Sequence, residues 1–187
     1  LLSRELEGPL LIPNLDDMFK IGHSPINFRG MTVSIEKIDL PEQHYLYVER
    51  TCAMDGPPIA SAMESGFGEI FSFAGAHGVA PISMPSAIYL AMPCDGKMTF
   101  HAAFFINPDD AKHANDTIKV GTIKAGHAFK TTHVGSYQTL NETHLAVWDR
   151  IKAEGHTDYM PQWEIYIDDP TMKPENEVRT EVYCRVG

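Results

Sequence analysis

Apolar residues along this chain follow two rhythms, and the order of the rhythms repeats. TVSIEKIDL and HYLYVER place β-branched and aromatic residues at alternate positions, as half-buried strands do. A helical rhythm follows, with Met63, Phe67, Ile70, Phe71 and Ala74 on one stripe. AIYLAM and MTFHAAFFI return to strand-like sequence. TIKVGTI and HAFKTTHV, a helical stripe of Leu140, Val147, Trp148 and Ile151, and then WEIYI and TEVYCRV run through the same order again. Pro57 and Pro58 suit the start of the first helix. Gly78 and Gly155 fall where a helix ends in a left-handed turn. Gly66 and Gly68 weaken the first helix.

The likeness of the two passes extends to register. A shift of 77 positions carries SAIYLAMP (86–93) onto WEIYIDDP (163–170), and without a gap it carries Met63 onto Leu140, Ile70 onto Val147, Phe71 onto Trp148 and Gly78 onto Gly155. Each half therefore reads strand, strand, helix, strand, strand: the first over 32–106, the second over 117–186. NPDDAKHAND (107–116), rich in Pro, Asp and Asn, is predicted to join them as a loop. Neither half alone has a sheet large enough to bury its helix and cover its edges. The expected fold is α+β: one pseudo-twofold domain over 32–187, with a curved antiparallel sheet, both helices on one side and a ligand groove where the halves meet. Residues 1–31 show no clear period and are expected to form a packed arm or the end of something upstream.

Internal duplication isolates one residue. Glu164 lies among Trp163, Ile165, Tyr166 and Ile167, and its counterpart in the first half is Ala87, so the shared architecture does not call for an acid there. A carboxylate in apolar surroundings is costly unless paired or protonated. Two readings stay open on pattern alone. Trp163, Ile165 and Ile167 alternate with Glu164, Tyr166 and Asp168, which fits the solvent face of an edge strand. The other reading is an inward, unpaired acid that awaits a ligand.

Composition narrows the chemistry. In 187 residues, 43% hydrophobic, the chain can bury a core without staples. Fifteen Lys and Arg against 25 Asp and Glu leave a net charge of -10, which repels phosphate backbones and argues against direct nucleic-acid binding. Three widely separated cysteines, Cys52, Cys94 and Cys184, form neither a disulfide framework nor a CxxC site. No metal site or cofactor is expected: HExxH, Walker and G-x-S-x-G motifs are absent, and His127 and His133 have no partner at metal spacing. No apolar run reaches the ~18 residues of a membrane span. The chain opens at Leu1 with no charged-then-apolar leader, so no signal peptide is expected, and the natural start is expected to lie further upstream.

HVGSYQTLNETHLAVWDRIKAEG, WEIYIDDP and VRTEVYCRV together resemble the gyrase-inhibitor-like family, the small-molecule-binding domain also fused to bacterial AraC-type and MerR-type transcription activators. The motifs that carry the resemblance are Gly135 and Tyr137, Trp148, Glu164 and Tyr166 with Asp169 and Pro170, and Thr180, Glu181 and Tyr183. It is strongest over 117–186, weaker in the first half, and does not include residues 1–31. The resemblance implies a cytoplasmic sensor or sequestering module, of multidrug-binding type, for lipophilic and often cationic compounds. It places Glu164 at the bottom of an aromatic groove. Tyr137, Trp163, Tyr166 and Tyr183, with Tyr47, Tyr89 and His101 from the first half, are the candidate wall residues; core packing is the competing reading for each. Trp148 is read as core. His101 matches Glu181 across the repeat, so pairing with an acid is its other reading. The alternative function is a hydrolase that opens cyclopropane-bearing alkylating compounds, with Glu164 as general base and Tyr137 or Tyr166 as hydrogen-bond donor. Oligomeric state is left undetermined.

Overall fold

A computed structural model describes residues 34–54 and 56–187, so the arm expected over 1–31 lies outside the described residues. The strands are β1 (Glu36–Leu40), β2 (Gln43–Ala53), β3 (Ser86–Tyr89), β4 (Lys97–Ile106), β5 (Lys119–Ile123), β6 (Gly126–Val134), β7 (Gln162–Tyr166) and β8 (Arg179–Val186). Helix α1 (Gly56–His77) follows β2, and α2 (Leu140–Ala153) follows β6. The strands form one eight-stranded sheet in the order β1-β6-β8-β7-β3-β4-β2-β5, with each neighbouring pair antiparallel.

That order contains an exchange. Strand β1 belongs to the first half in sequence but pairs with β6 of the second, while β5 crosses the other way to pair with β2. Each half thus borrows its outermost strand from the other. The exchange interlocks the two halves in one sheet, whose edges are the borrowed strands β1 and β5.

The seam between the halves is the β3–β7 pair, where Ala87 sits directly opposite Glu164 and Ile88 opposite Trp163. Ala87 and Glu164 are also repeat counterparts, so the pseudo-twofold axis passes between them. Cross-strand partners share a face, and one row runs Val48, Ala102, Ala87, Glu164, Val182, Thr131 from β2 across to β6. Both helices lie over this face. Helix α1 approaches so closely that a Cβ on Gly66 would come within 2.6 Å of the Ala102 Cβ, which explains the helix-weakening glycine: it is where the helix touches the sheet. Helix α2 buries Leu140, Val147, Trp148 and Ile151 against Phe129, Val182 and Cys184.

Helix ends repeat as well as helix stripes. Gly78 and Gly155 take φ of 66° and 81°. Val79 N–H donates to Ala74 O and His156 N–H to Ile151 O, at 3.0 and 3.1 Å. This is the same left-handed C-terminal cap, with the same pair of bonded positions, in each half. The connector is more ordered than its composition suggests: Pro108–His113 forms a 3-10 turn, with proline at its start.

Candidate functional site at the seam

Strand β7 is central, so the edge-strand reading of Glu164 is set aside: the residue is 6% exposed and faces the helices. The expectation of an unpaired carboxylate is also corrected. His144, on the inner face of α2, places Nε2 2.6 Å from Glu164 Oε1. The Tyr166 hydroxyl donates to Oε2 at 2.5 Å, and the Tyr89 hydroxyl reaches the same oxygen at 3.4 Å. A carboxylate can only accept, so the imidazole donates from Nε2. One helical turn further on, Trp148 Nε1 donates to Gln162 Oε1 at 3.1 Å. Helix α2 is therefore tied to β7 by two polar contacts, His144 to Glu164 and Trp148 to Gln162, along one face of each element.

Above the carboxylate the walls differ by half. From the first half, Phe67 meets Tyr166 edge-on with centroids 5.7 Å apart, and Met63 Sδ lies 4.0 Å from the Tyr166 hydroxyl. From the second half, Tyr137 in the turn before α2 stands perpendicular to Tyr166 at 5.8 Å. His133 is held by Thr143 Oγ1 at 2.8 Å and donates to Ser136 O at 3.0 Å. Burial, with the Glu164 charge as the next cause, raises the hydroxyl pKa of Tyr89 and Tyr166 well above the ordinary value. For the same reasons Tyr137 is pushed up to about 12. All three phenols stay protonated near neutrality, and those of Tyr89 and Tyr166 donate to Glu164.

The eight candidate residues do not form one cluster. Glu164, Tyr166, Tyr89 and Tyr137 gather on the helix side. Trp163, Tyr183, Tyr47 and His101 lie on the opposite face, because alternation along β7 and the other strands sends them there. Trp163 is 1% exposed and stacks on Tyr183, with centroids 4.9 Å apart and planes within 4°. Tyr47 stacks on His101 at 3.6 Å. These four cannot wall a groove that holds Glu164, which corrects the expectation for them. His101 takes its acid from Glu49 on the adjacent strand, 3.5 Å away, and also meets the Tyr45 hydroxyl at 3.2 Å. Its repeat counterpart Glu181 pairs with Lys130 and Tyr183 at 2.7 and 2.6 Å. Trp148 is 9% exposed, in keeping with core packing.

His144 was not among the candidates, yet the repeat marks it. The register that carries Ala87 to Glu164 carries Phe67 to His144. The second half thus replaces an apolar pair with an ionisable pair, at two positions that touch. Only one member was conspicuous, because a histidine on an otherwise apolar helical stripe is common.

Two buried histidines give the fold a pH dependence. Burial lowers the pKa of His133 from 6.5, opposed by Ser136 O, Glu164 and Glu142 and assisted by His144. Burial likewise lowers that of His101, opposed by Glu49 and assisted by Lys119. The unfolded chain then takes up these protons first as pH falls, so their contribution is complete above about 6.5 and is lost below it. We expect the melting temperature to fall between pH 7 and pH 5.5, and His133→Gln to flatten that fall. An unchanged slope in the variant assigns the dependence to other groups.

A paired-half antiparallel sheet with two helices over a seam acid defines an α+β scaffold with a polar centre on its symmetry axis. A family model described as the GyrI-like small molecule binding domain matches residues 32–186, and the chain belongs to that family. Among solved structures it is similar to the EcmrR C-terminal domain, at 18% identity and TM-score 0.70, covering 84% of this chain and 99% of that one. Against the EcmrR–DNA complex it spans only 57% of the EcmrR chain, at 15% identity, 82% coverage of this chain and TM-score 0.67. It is also similar to SAV2435 bound to tetraphenylphosphonium, at 14% identity and TM-score 0.56, covering 84% and 94% of the two chains. A fourth likeness is a hydrolase encoded by lin2189 from Listeria innocua, at 15% identity, TM-score 0.55 and coverage of 82% and 91%. No curated protein matches the sequence. Among the described residues, no helix is long and apolar enough to cross a membrane.

Proposed function

We propose that the chain is a sensor or sequestering module for lipophilic cations, with Glu164 as the anionic foot of a site between α1 and α2. The observation that carries this reading is the buried carboxylate at the seam, held from one side by His144 and from the other by Tyr166. Rings stand above it from both halves: Phe67 on Tyr166, and Tyr137 on Tyr166. In a low-dielectric setting such a charge attracts a delocalised cation more strongly than in water, and each aromatic face adds about 0.5–2 kcal/mol. The tetraphenylphosphonium complex of a protein with this fold supports the ligand class. Such a module would select by charge and flatness, with Tyr137, Tyr166 and Tyr89 as the ring contacts and no cofactor required.

The test is direct titration. A rhodamine followed by fluorescence anisotropy should bind with micromolar or tighter affinity, and Glu164→Gln should weaken it by about tenfold or more, roughly 1.4 kcal/mol. An affinity indifferent to that substitution removes Glu164 from the site.

One observation favours a second reading. Glu164 with His144 and a tyrosine hydroxyl is a set that could activate water and stabilise a developing oxyanion, as opening of a cyclopropane-bearing electrophile requires, and one protein of this fold carries the name hydrolase. Turnover beyond one equivalent, read by mass spectrometry as water addition and lost in Glu164→Gln, would establish catalysis. Capture without turnover leaves the binding reading in place.

A further inference from the structure

The seam acid has one neighbour that can cancel its charge. Among the described residues, the ion pair that Glu164 makes is with His144, whose Nε2 lies 2.6 Å from Oε1. The other groups that reach the carboxylate, the Tyr166 and Tyr89 hydroxyls, are neutral donors at Oε2; they solvate the charge without cancelling it. The pair belongs to the second half alone, since its counterparts Phe67 and Ala87 carry no charge in any state. Both members are buried, at 9% and 6% exposed, so water does little to screen one from the other.

Titratable groups approach this pair from several elements. His133 on β6 feels both Glu164 and His144, and burial lowers its pKa from 6.5. Burial raises Tyr166 on β7 and Tyr89 on β3 well above the usual phenol value. Tyr137, in the turn before α2, is pushed up to about 12 by burial, and so is the Cys184 thiol of β8. Glu142, on α2 itself, acts on His133. The phenols and the thiol keep their protons through the neutral range, which leaves the two imidazoles as the groups suited to change charge there. Of these, His144 touches the carboxylate, whereas His133 is engaged with Thr143 Oγ1 and Ser136 O.

One proton therefore sets the charge of the site. When His144 carries it, Glu164 faces an imidazolium and the pair is neutral; when His144 does not, Nε2 still donates and the pair is an anion. A cation brought to the carboxylate meets a like charge at close range in the first state and none in the second. We propose that a lipophilic cation and a proton compete for this site, with His144 as the residue that couples them: the site takes up the cation as pH rises and gives it up on acidification. Because coupling is reciprocal, a cation that binds the protonated pair drives the proton from the imidazole to the solvent. This rests on the binding reading above and adds the regulation of that site.

Tetraphenylphosphonium is the probe, because its charge is fixed and it has no proton to exchange. Calorimetry on the full chain at pH 5.5 and pH 8.5 should give the wild type an affinity about tenfold or more higher at the alkaline end. Where the affinity changes with pH, the observed heat should depend on the ionisation enthalpy of the buffer, with the sign of proton release. His144→Gln keeps an amide donor for Glu164 and cannot take up the proton, so its affinities at the two pH values should agree within about threefold; His133→Gln should keep the wild-type slope. Proton release by the wild type decides the matter even where His144→Gln fails to fold. A wild-type affinity equal at both pH values, binding without proton release, a slope that persists in His144→Gln, or one lost in His133→Gln overturns this inference. If affinity ignores pH and Glu164→Gln still weakens it, the binding reading stands without the coupling; if neither tetraphenylphosphonium nor the rhodamine binds at either pH, the binding reading falls and takes this inference with it.

Discussion

His144→Leu should lower the stability of the ligand-free protein by about 3–5 kcal/mol, because it leaves Glu164 buried without its imidazole partner. For a domain of this size that corresponds to a fall in melting temperature of roughly 6–20 °C. The tyrosine hydroxyls soften the loss but cannot replace the pair: Tyr89 is at 3.4 Å and Tyr166 already bonds the second oxygen. Adding Glu164→Gln to the leucine variant should return about half of the lost stability or more. The amide has no charge to solvate, and its oxygen still accepts from Tyr166. Thermal and urea unfolding of the two variants would check this. A leucine variant as stable as the wild type would mean that the 2.6 Å contact contributes nothing.

Trp163→Ala should cost a similar amount, about 3–5 kcal/mol, for a different reason. The side chain is 1% exposed, stacks on Tyr183 and packs among Ile88, Ala103 and Phe105 on the face away from the helices. Its removal leaves a cavity in the central strands of the sheet. The functional half of the prediction is the sharper one. Trp163→Phe, which retains most of the packing, should change rhodamine affinity by less than about twofold, whereas Tyr166→Phe should weaken it, since of these two residues Tyr166 is the one on the carboxylate's face. A Trp163→Phe variant with intact folding and lost binding would place the ligand on the wrong side of the sheet in our account.

The halves, the helix stripes and their glycine stops were legible in the sequence because they rest on local periodicity, and the antiparallel α+β sheet with the helices over one face followed from them. The exchange of β1 and β5 was not legible. Each first strand carries the same alternation whichever half it joins, and pairing partners are decided by where the chain can reach. The inward aim of Glu164 needed one non-local fact, the central place of β7; without it, alternation fits an edge as well as a seam. The same gap explains the misplaced Trp163, Tyr183, Tyr47 and His101. Aromatic character suggested a common wall, but parity along the strands puts them behind the sheet. His144 was within reach, since the register that singled out Glu164 also aligned it with Phe67.

The position of Ala87 directly across from Glu164 has a consequence for what a duplicated protein can do that a true dimer cannot. In a homodimer assembled from two copies of the second half, whatever stands on the axis meets its own image. An acid there would confront a second acid at a cross-strand separation of about 4.5–5.5 Å, and one of the two would be driven to hold a proton. Joining the copies in one polypeptide lifts that constraint. The two sides can be written differently, and a single negative charge can occupy a dyad that symmetry would otherwise have filled twice.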